Sequence, residues 1–188
     1  MSFRGPNEPH DAVAYDPVLR RLHWLNAVLA LTTIMLAWCA VAAARHGAAR
    51  GWLLMLHGSL GIVILAVMLF WAGWRLRHPS PALRPVLSRI EVFLARATQA
   101  AIFLLFIAMP VTGYVSLAAA GKAVSVFGIV EIPPLVPDSG RLWQIAIALH
   151  FLGEFMIYGL VALHIGAAAL HGFYRRDGIL ERMLAPRP

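Results

Sequence analysis

Four apolar stretches, each long enough to cross a lipid bilayer as a helix, constrain the fold of this chain more than any other feature of its sequence. A helix needs about 20 predominantly apolar residues to span the hydrocarbon core. The stretches are 22–44, 52–74, 97–118 and 143–173. The fourth is long for a single crossing, which predicts that it tilts or projects into the cytoplasm. The sequence therefore predicts an all-α, integral membrane four-helix bundle.

The composition is typical of a membrane protein and argues against a nucleic-acid partner. Hydrophobic residues make up 60% of the chain and charged residues only 13%, whereas about a quarter of a soluble domain is charged. The net charge of +7 does not indicate nucleic-acid binding, because the basic residues lie at the ends of the apolar stretches. The first 20 residues are polar and lack the apolar core of a signal peptide, so we expect the first membrane helix to direct insertion.

The distribution of Lys and Arg predicts the orientation of the helices. Twelve of the sixteen basic residues lie before the first stretch, between the second and third, or after the fourth: Arg4, Arg20, Arg21, Arg75, Arg77, Arg84, Arg89, Arg96, Arg175, Arg176, Arg182 and Arg187. The other side holds Arg45, Arg50, Lys122 and Arg141. By the positive-inside rule, both termini are cytoplasmic. The chain then divides into a cytoplasmic tail, 1–21, a membrane domain, 22–174, and a second cytoplasmic tail, 175–188.

Local signals refine this outline. Asp16 followed by Pro17 is typical of a helix N-cap with proline at the first helical position. Pro110 and Gly113 predict a kink in the third helix. The loop 121–141 mixes apolar residues with three prolines, which indicates an ordered cap over one end of the bundle.

Five of the eight histidines lie in or at the ends of the apolar stretches: His23, His57, His150, His164 and His171. Ionisable residues at such positions are costly and are by default functional. In the predicted orientation, His57 and His150 lie near the outer ends of their helices, whereas His23 and His164 lie near the cytoplasmic ends. Four of the histidines thus form two pairs at two depths, with the members of each pair on different helices.

The spacing of the two histidines of the fourth helix predicts the chemistry. His150 and His164 are 14 residues apart, just under four helical turns, so they project from nearly the same face about 21 Å apart along the axis. A haem takes one axial nitrogen from each side of its plane, and imidazole supplies one. The lone Cys39 excludes a C-x-x-C-H attachment motif, so each haem is held non-covalently. With both axial positions filled, the expected reaction is outer-sphere electron transfer.

Small residues close to these histidines support a flat ligand, although the same residues are also typical of ordinary helix packing. They are Gly58, Gly61, Gly153, Ala167 and Ala168. A membrane metal-ion transporter that uses intramembrane histidines is a remote alternative. It would require more histidines or carboxylates at one depth, whereas Glu154 is the only acidic residue well inside a stretch.

The chain resembles the bacterial cytochrome b561 family, the four-helix di-haem cytochromes of the inner membrane. The segments that carry the likeness are Tyr15-Asp16-Pro17, Leu22-His23-Trp24-Leu25, Leu56-His57-Gly58-Ser59-Leu60-Gly61, Phe106-Ile107-Ala108-Met109-Pro110-Val111-Thr112-Gly113, Phe127-Gly128, Pro133-Pro134-Leu135, His150 and Leu163-His164-Ile165-Gly166-Ala167-Ala168-Ala169-Leu170-His171. The resemblance implies two b-type haems, an outer one bound by His57 and His150 and an inner one bound by His23 and His164. It also implies electron exchange with quinone, and one branch of the family oxidises superoxide on the outer side and reduces ubiquinone.

Two further residues have open roles. In the family, the position that matches His171 is close to the inner haem and a quinone pocket, so we expect His171 to donate a hydrogen bond to a quinone or a haem propionate. The alternative is an interfacial histidine among lipid headgroups. Glu154 follows His150 by one turn and has either a structural role, a pairing with an outer arginine, or a role in proton relay.

The resulting functional hypothesis is a quinone-linked di-haem electron carrier of the bacterial inner membrane, with superoxide as a small outer donor. Four basic residues on the outer side would attract an anionic donor. The second hypothesis is a membrane-anchor subunit that passes electrons between a dehydrogenase or hydrogenase partner and the quinone pool. The short outer loops favour a small diffusible donor over a large partner.

Overall fold

Four long helices dominate the computed structural model, which describes residues 16–44, 47–78, 87–181 and 183–184. They are α1, Pro17–Ala42, α2, Ala48–Arg77, α3, Arg89–Ala118, and α4, Gly140–Ala169, which continues into a π-helical turn, Leu170–Arg175. Each has the length and apolar character required to cross a membrane, with a mean hydropathy between 1.8 and 2.4 over its most apolar window. The predicted class, an all-α integral membrane four-helix bundle, is confirmed. The bounds of the bilayer crossings, the division into domain and tails, and the cytoplasmic side of both termini stay predictions.

The helices begin where short-range capping interactions are available. Asp16 caps α1, accepting hydrogen bonds from the backbone N–H of Val18 at 2.8 Å and of Leu19 at 3.1 Å, with Pro17 at the first helical position, as predicted. Ser88 and Glu91 form a capping box at the start of α3. The box explains why α3 begins eight residues before the apolar stretch at 97. The helix continues through Pro110 to Ala118.

The helices pack in sequence order, and one side of the bundle is closed by side chains alone. α1 packs along α2, α2 along α3, and α3 along α4. In the described part of the chain, the backbone of α4 closely approaches neither α1 nor α2. Large apolar side chains cover the outer surface, where lipid is as apolar as they are. The space between α4 and the first two helices is therefore where the inward-facing side chains of three helices meet.

A short hairpin covers the end of the bundle near His57. Its strands are β1, Val124–Val126, and β2, Val130–Ile132, paired antiparallel. Ser59 of α2 is fully buried, and its hydroxyl accepts a hydrogen bond from the Phe127 N–H at 2.8 Å and donates one to the Met55 carbonyl at 2.7 Å. The loop 121–141 is thus an ordered cap, as predicted, although its strands were not anticipated.

The chain folds back at the opposite end of the bundle after α4. We call residues 177–181 together with 183 and 184 the inner cap. It lies against the start of α1, where Arg20 Nη1 donates to the Leu184 carbonyl and Trp24 Nε1 to the Met183 carbonyl, both at 3.0 Å. Gly172 allows this return, because a Cβ there would collide with Leu180.

Candidate functional site

The structure brings together both predicted histidine pairs. The rings of His57 on α2 and His150 on α4 have their centroids 6.1 Å apart, with their planes at 79°. The rings of His23 on α1 and His164 on α4 also have their centroids 6.1 Å apart, with their planes at 56°. We call these the outer and inner pairs, after their predicted depths. Because α4 supplies one histidine to each pair, a single helix sets the distance between the pairs.

The spacing within each pair matches that of two imidazoles on opposite sides of one metal ion. An imidazole nitrogen lies about 1.1 Å from its ring centre, and a metal–imidazole bond is about 2.0 Å long. Two imidazoles in line with a shared metal therefore have ring centres about 6.2 Å apart. Neither pair needs to rearrange to reach that distance.

The tautomer of the outer pair is set by neighbouring helices. His57 Nδ1 lies 3.0 Å from the Thr33 carbonyl oxygen of α1, and His150 Nδ1 lies 3.0 Å from the Met109 carbonyl oxygen of α3. A carbonyl oxygen only accepts hydrogen bonds, so Nδ1 of each ring carries the proton. The lone pair is then on Nε2, which is the nitrogen available to a metal.

The glycines near the outer pair differ in the free space around their Cα atoms. Gly58 has no neighbour within 4 Å of an added Cβ, and Gly61 has only a Pro110 carbon at 4.0 Å. At these two positions no side chain protrudes from α2 beside His57, as a flat ligand requires. At Gly153, in contrast, an added Cβ would collide with Met109, so Gly153 serves the packing of α4 on α3.

Three buried polar atoms have no hydrogen-bond partner within the described residues: Asn26 Oδ1, Trp71 Nε1 and Trp74 Nε1. Asn26 follows His23 by three residues on α1, and the Trp71 ring lies 6.5 Å from the His23 ring, centroid to centroid. Buried polar groups are normally paired. The unpaired Trp71 N–H and Asn26 oxygen near His23 are therefore consistent with a bound group that carries polar substituents, as a haem does. The donor sets and their surroundings fit haem at both pairs.

His171 lies in the π-helical turn and is paired with a residue that sequence reasoning missed. Its Nδ1 is 2.5 Å from Asp177 Oδ2, and the two side chains are only 16% and 9% exposed. Asp177 reaches His171 because the chain reverses at Arg176, which has a φ of 49°. Single-turn π segments occur frequently at functional sites. No periodic pattern relates residues 171 and 177, so a sequence signal for this pair was not available.

Glu154 belongs to a hydrogen-bonded chain that crosses from α4 to α1. Tyr158 donates its hydroxyl proton to Glu154 Oε1 and accepts a hydrogen bond from Trp38 Nε1 at 2.8 Å. The described partner of Glu154 is thus Tyr158, one turn further along α4, and not an outer arginine. This chain is one of the side-chain bridges between α1 and α4, and it lies between the levels of the two histidine pairs.

The comparison with known proteins decides the family. A sequence model described as prokaryotic cytochrome b561 matches residues 14–186. The chain belongs to this family. Membership confirms the resemblance drawn from the sequence motifs, and with the four membrane helices it makes the chain a multi-pass bacterial membrane protein that transfers electrons through b-type haem. The metal-ion transporter hypothesis is thereby set aside.

Individual cytochrome b561 relatives cover between 70% and 98% of the chain. Cytochrome b561 homolog 2 of Escherichia coli (strain K12) is 31% identical over 187 residues, which cover 98% of this chain and 95% of the relative. The probable superoxide oxidase CybB of Yersinia pestis is 34% identical over 166 residues, covering 87% of this chain and 91% of the relative. Cytochrome b561 homolog 1 of Escherichia coli (strain K12) is 25% identical over 131 residues, covering 70% of this chain and 74% of the relative.

Proposed function

We propose that this cytochrome carries electrons across the bacterial inner membrane, from a small outer donor to a quinone on the cytoplasmic side, with two b-type haems. His57 and His150 hold the outer haem, and His23 and His164 hold the inner one. The observation that carries the proposal is the equal 6.1 Å spacing of two histidine pairs at two levels of one bundle. A bound haem supplies a one-electron couple at each level.

The histidines do more than hold iron. A haem held by both imidazoles of a pair would have no free position at its iron for a substrate, so the chemistry it would supply is outer-sphere electron transfer. His150 and His164 are 14 residues apart on one helix, about 21 Å along its axis. The spacing of the two centres is therefore a property of α4 and does not depend on loops.

Superoxide is the outer donor that the observations favour. A relative of similar length is named a probable superoxide oxidase, and the side chains of Lys122 and Arg141 are exposed at the end of the bundle that carries the hairpin. Arg50 also lies at this end and donates a hydrogen bond to the Ala40 carbonyl. Positive charge at this end of the bundle would raise the encounter rate of an anion, and added salt would screen the effect.

His171 and Asp177 form the quinone end of the proposed path. Asp177 accepts the Nδ1–H of His171, so in the protonated ring the Nε2–H remains to donate a hydrogen bond to a quinone oxygen. The inner cap covers this end, and Arg175 anchors the π-helical turn to Glu91 of α3 at 2.5 Å. His171 follows His164 of the inner pair by seven residues, in the π-helical turn that continues α4.

Replacing His171 with alanine is expected to slow quinone reduction by about tenfold or more, since a positioned proton donor contributes at least that much. Haem content and haem reduction by the outer donor should be unchanged, because His171 belongs to neither pair. Quinone-dependent reoxidation of the reduced protein, followed by stopped-flow absorbance, measures the effect. His78→Ala is the control, because His78 is exposed and stacks on Trp74. Unaltered reoxidation in His171→Ala would remove this role.

Haem quantification and rapid kinetics test the proposal as a whole. We expect two haems per chain by the pyridine haemochrome assay. Superoxide should reduce the haems and a soluble ubiquinone analogue should reoxidise them, when each is offered separately in a stopped-flow instrument. A single haem per chain would contradict the two-centre arrangement. Inertness towards superoxide, together with co-purification of a dehydrogenase, would favour the anchor-subunit hypothesis.

A further inference from the structure

A segment of α3, Met109 to Gly113, surrounds one edge of the His150 imidazole, and we call it the His150 cradle. The Met109 carbonyl oxygen lies 3.0 Å from His150 Nδ1, and Thr112 Oγ1 lies 3.2 Å from the same nitrogen. The Thr112 hydroxyl donates its own proton to the Met109 carbonyl at 3.0 Å. The N–H of the imidazole therefore faces two oxygens that are themselves held in place.

Gly113 is what allows the imidazole to come this close to α3. A Cβ at this position would lie 3.1 Å from His150 Cε1 and 3.4 Å from Nδ1. Even a methyl group would press on the ring beside the nitrogen that donates to the Met109 carbonyl. Glycine inside a helix is less stable than alanine, so its presence at the point of contact has a structural reason.

The two histidine pairs differ in this respect. Both outer rings donate Nδ1–H to a backbone carbonyl of another helix, His57 to Thr33 and His150 to Met109. Among the described residues, His23 and His164 show no such partner, and the His23 ring instead meets the edges of Trp24 and Trp71. Hydrogen bonding to Nδ1 is thus a feature of the outer pair.

A hydrogen bond from Nδ1–H to a carbonyl increases the electron density that Nε2 offers to a metal. A stronger donor stabilises the higher oxidation state, and second-shell hydrogen bonding is one of the factors that set haem potentials. We propose that the His150 cradle fixes the tautomer and orientation of His150 and thereby lowers the midpoint potential of the outer haem. Thr112 and Gly113 are then positioning residues. The inference rests on the proposed role of His57 and His150 as ligands of that haem.

Two substitutions in the full-length, haem-loaded protein test the cradle. Gly113→Ala pushes the ring from its acceptor, whereas Thr112→Val keeps the volume and removes the oxygen that faces Nδ1. Spectroelectrochemical titration should show the outer potential rising in Gly113→Ala. The expected change is about tenfold in the ratio of reduced to oxidised outer haem at a fixed applied potential, equivalent to about 59 mV for a one-electron couple. Thr112→Val should shift the same couple in the same direction by a smaller factor, because the Met109 carbonyl remains.

Matched controls and a second readout complete the test. Gly51→Ala and Thr32→Val carry the same changes where an added Cβ meets nothing within 4 Å and where the hydroxyl bonds only its own helix. Neither control should change the midpoint potential of either haem. The low-spin electron paramagnetic resonance signal of the outer haem should change in Gly113→Ala, since it reports ring orientation, and the inner signal should not. Unshifted outer potentials in both cradle variants would overturn the inference while leaving the two-haem proposal intact. Only one haem in the unsubstituted protein would instead overturn the proposed function.

Discussion

His150→Ala is expected to retain about half of the haem and to lose nearly all electron entry from the outer side. The substitution removes one of two axial ligands of the proposed outer centre, and the remaining imidazole of His57 has no second ring 6.1 Å away to complete the set. Loss of a second-shell partner alone costs 10–100-fold in many metal sites, so removing a ligand should slow reduction by superoxide by more than about 100-fold.

The inner pair should survive this change. His164 lies about 21 Å further along α4, and a local loss at residue 150 leaves the helix between them unaltered. Haem per chain, determined by pyridine haemochrome, and the rate of haem reduction by superoxide measure the two effects. His57→Ala should behave in the same way, and His78→Ala should match the unsubstituted protein. Retention of two low-spin haems in His150→Ala would show that the outer pair is not a ligand set.

His164→Ala is expected to separate the two halves of the reaction. The variant should keep the outer haem and accept electrons from superoxide, because the outer pair and its carbonyl acceptors lie at the other end of the bundle. It should lose the inner haem and with it quinone reduction, again by more than about 100-fold. Electron transfer slows steeply with distance, so the outer haem cannot replace the inner one at the quinone end.

Single-turnover experiments distinguish this outcome from a general loss of folded, active protein. A short superoxide pulse should reduce the single remaining haem of His164→Ala, which a quinone analogue should then reoxidise far more slowly than it reoxidises the unsubstituted protein. His23→Ala should reproduce the result, since both rings belong to one pair. His171→Ala should differ from both variants by keeping two haems. Fast quinone reduction by a one-haem His164→Ala protein would contradict the order of the proposed path.

Much of the architecture could be predicted from local properties of the chain. Each apolar stretch is long enough to commit its segment to a membrane helix, since an unpaired backbone is too costly in lipid. Helical geometry then placed His150 and His164 on one face, and the depth of each histidine in its own stretch was enough to group them. The N-cap at Asp16 could be predicted for the same reason, because its partners Val18 and Leu19 are neighbours in sequence.

Contacts between distant segments depended on the tertiary structure. Asp177 reaches His171 only because the chain leaves the α-helical path in a π-helical turn and then reverses at Arg176. Tyr158, one turn along α4 from Glu154, accepts its hydrogen bond from Trp38 because α1 and α4 approach each other through side chains. The burial of Ser59 likewise depends on a hairpin more than sixty residues away.

The histidines show which properties of the site the sequence determines and which the tertiary structure determines. Their type, depth and helical face are set by sequence, because a membrane helix is a regular object whose period and rise are known in advance. The nitrogen that each ring offers is decided by what lies beside the ring. For His57 that neighbour is the Thr33 carbonyl of α1, and for His150 it is the Met109 carbonyl of α3, reached over Gly113. Backbone carbonyls are the same at every residue, so only the packing of the helices determines which of them faces an imidazole.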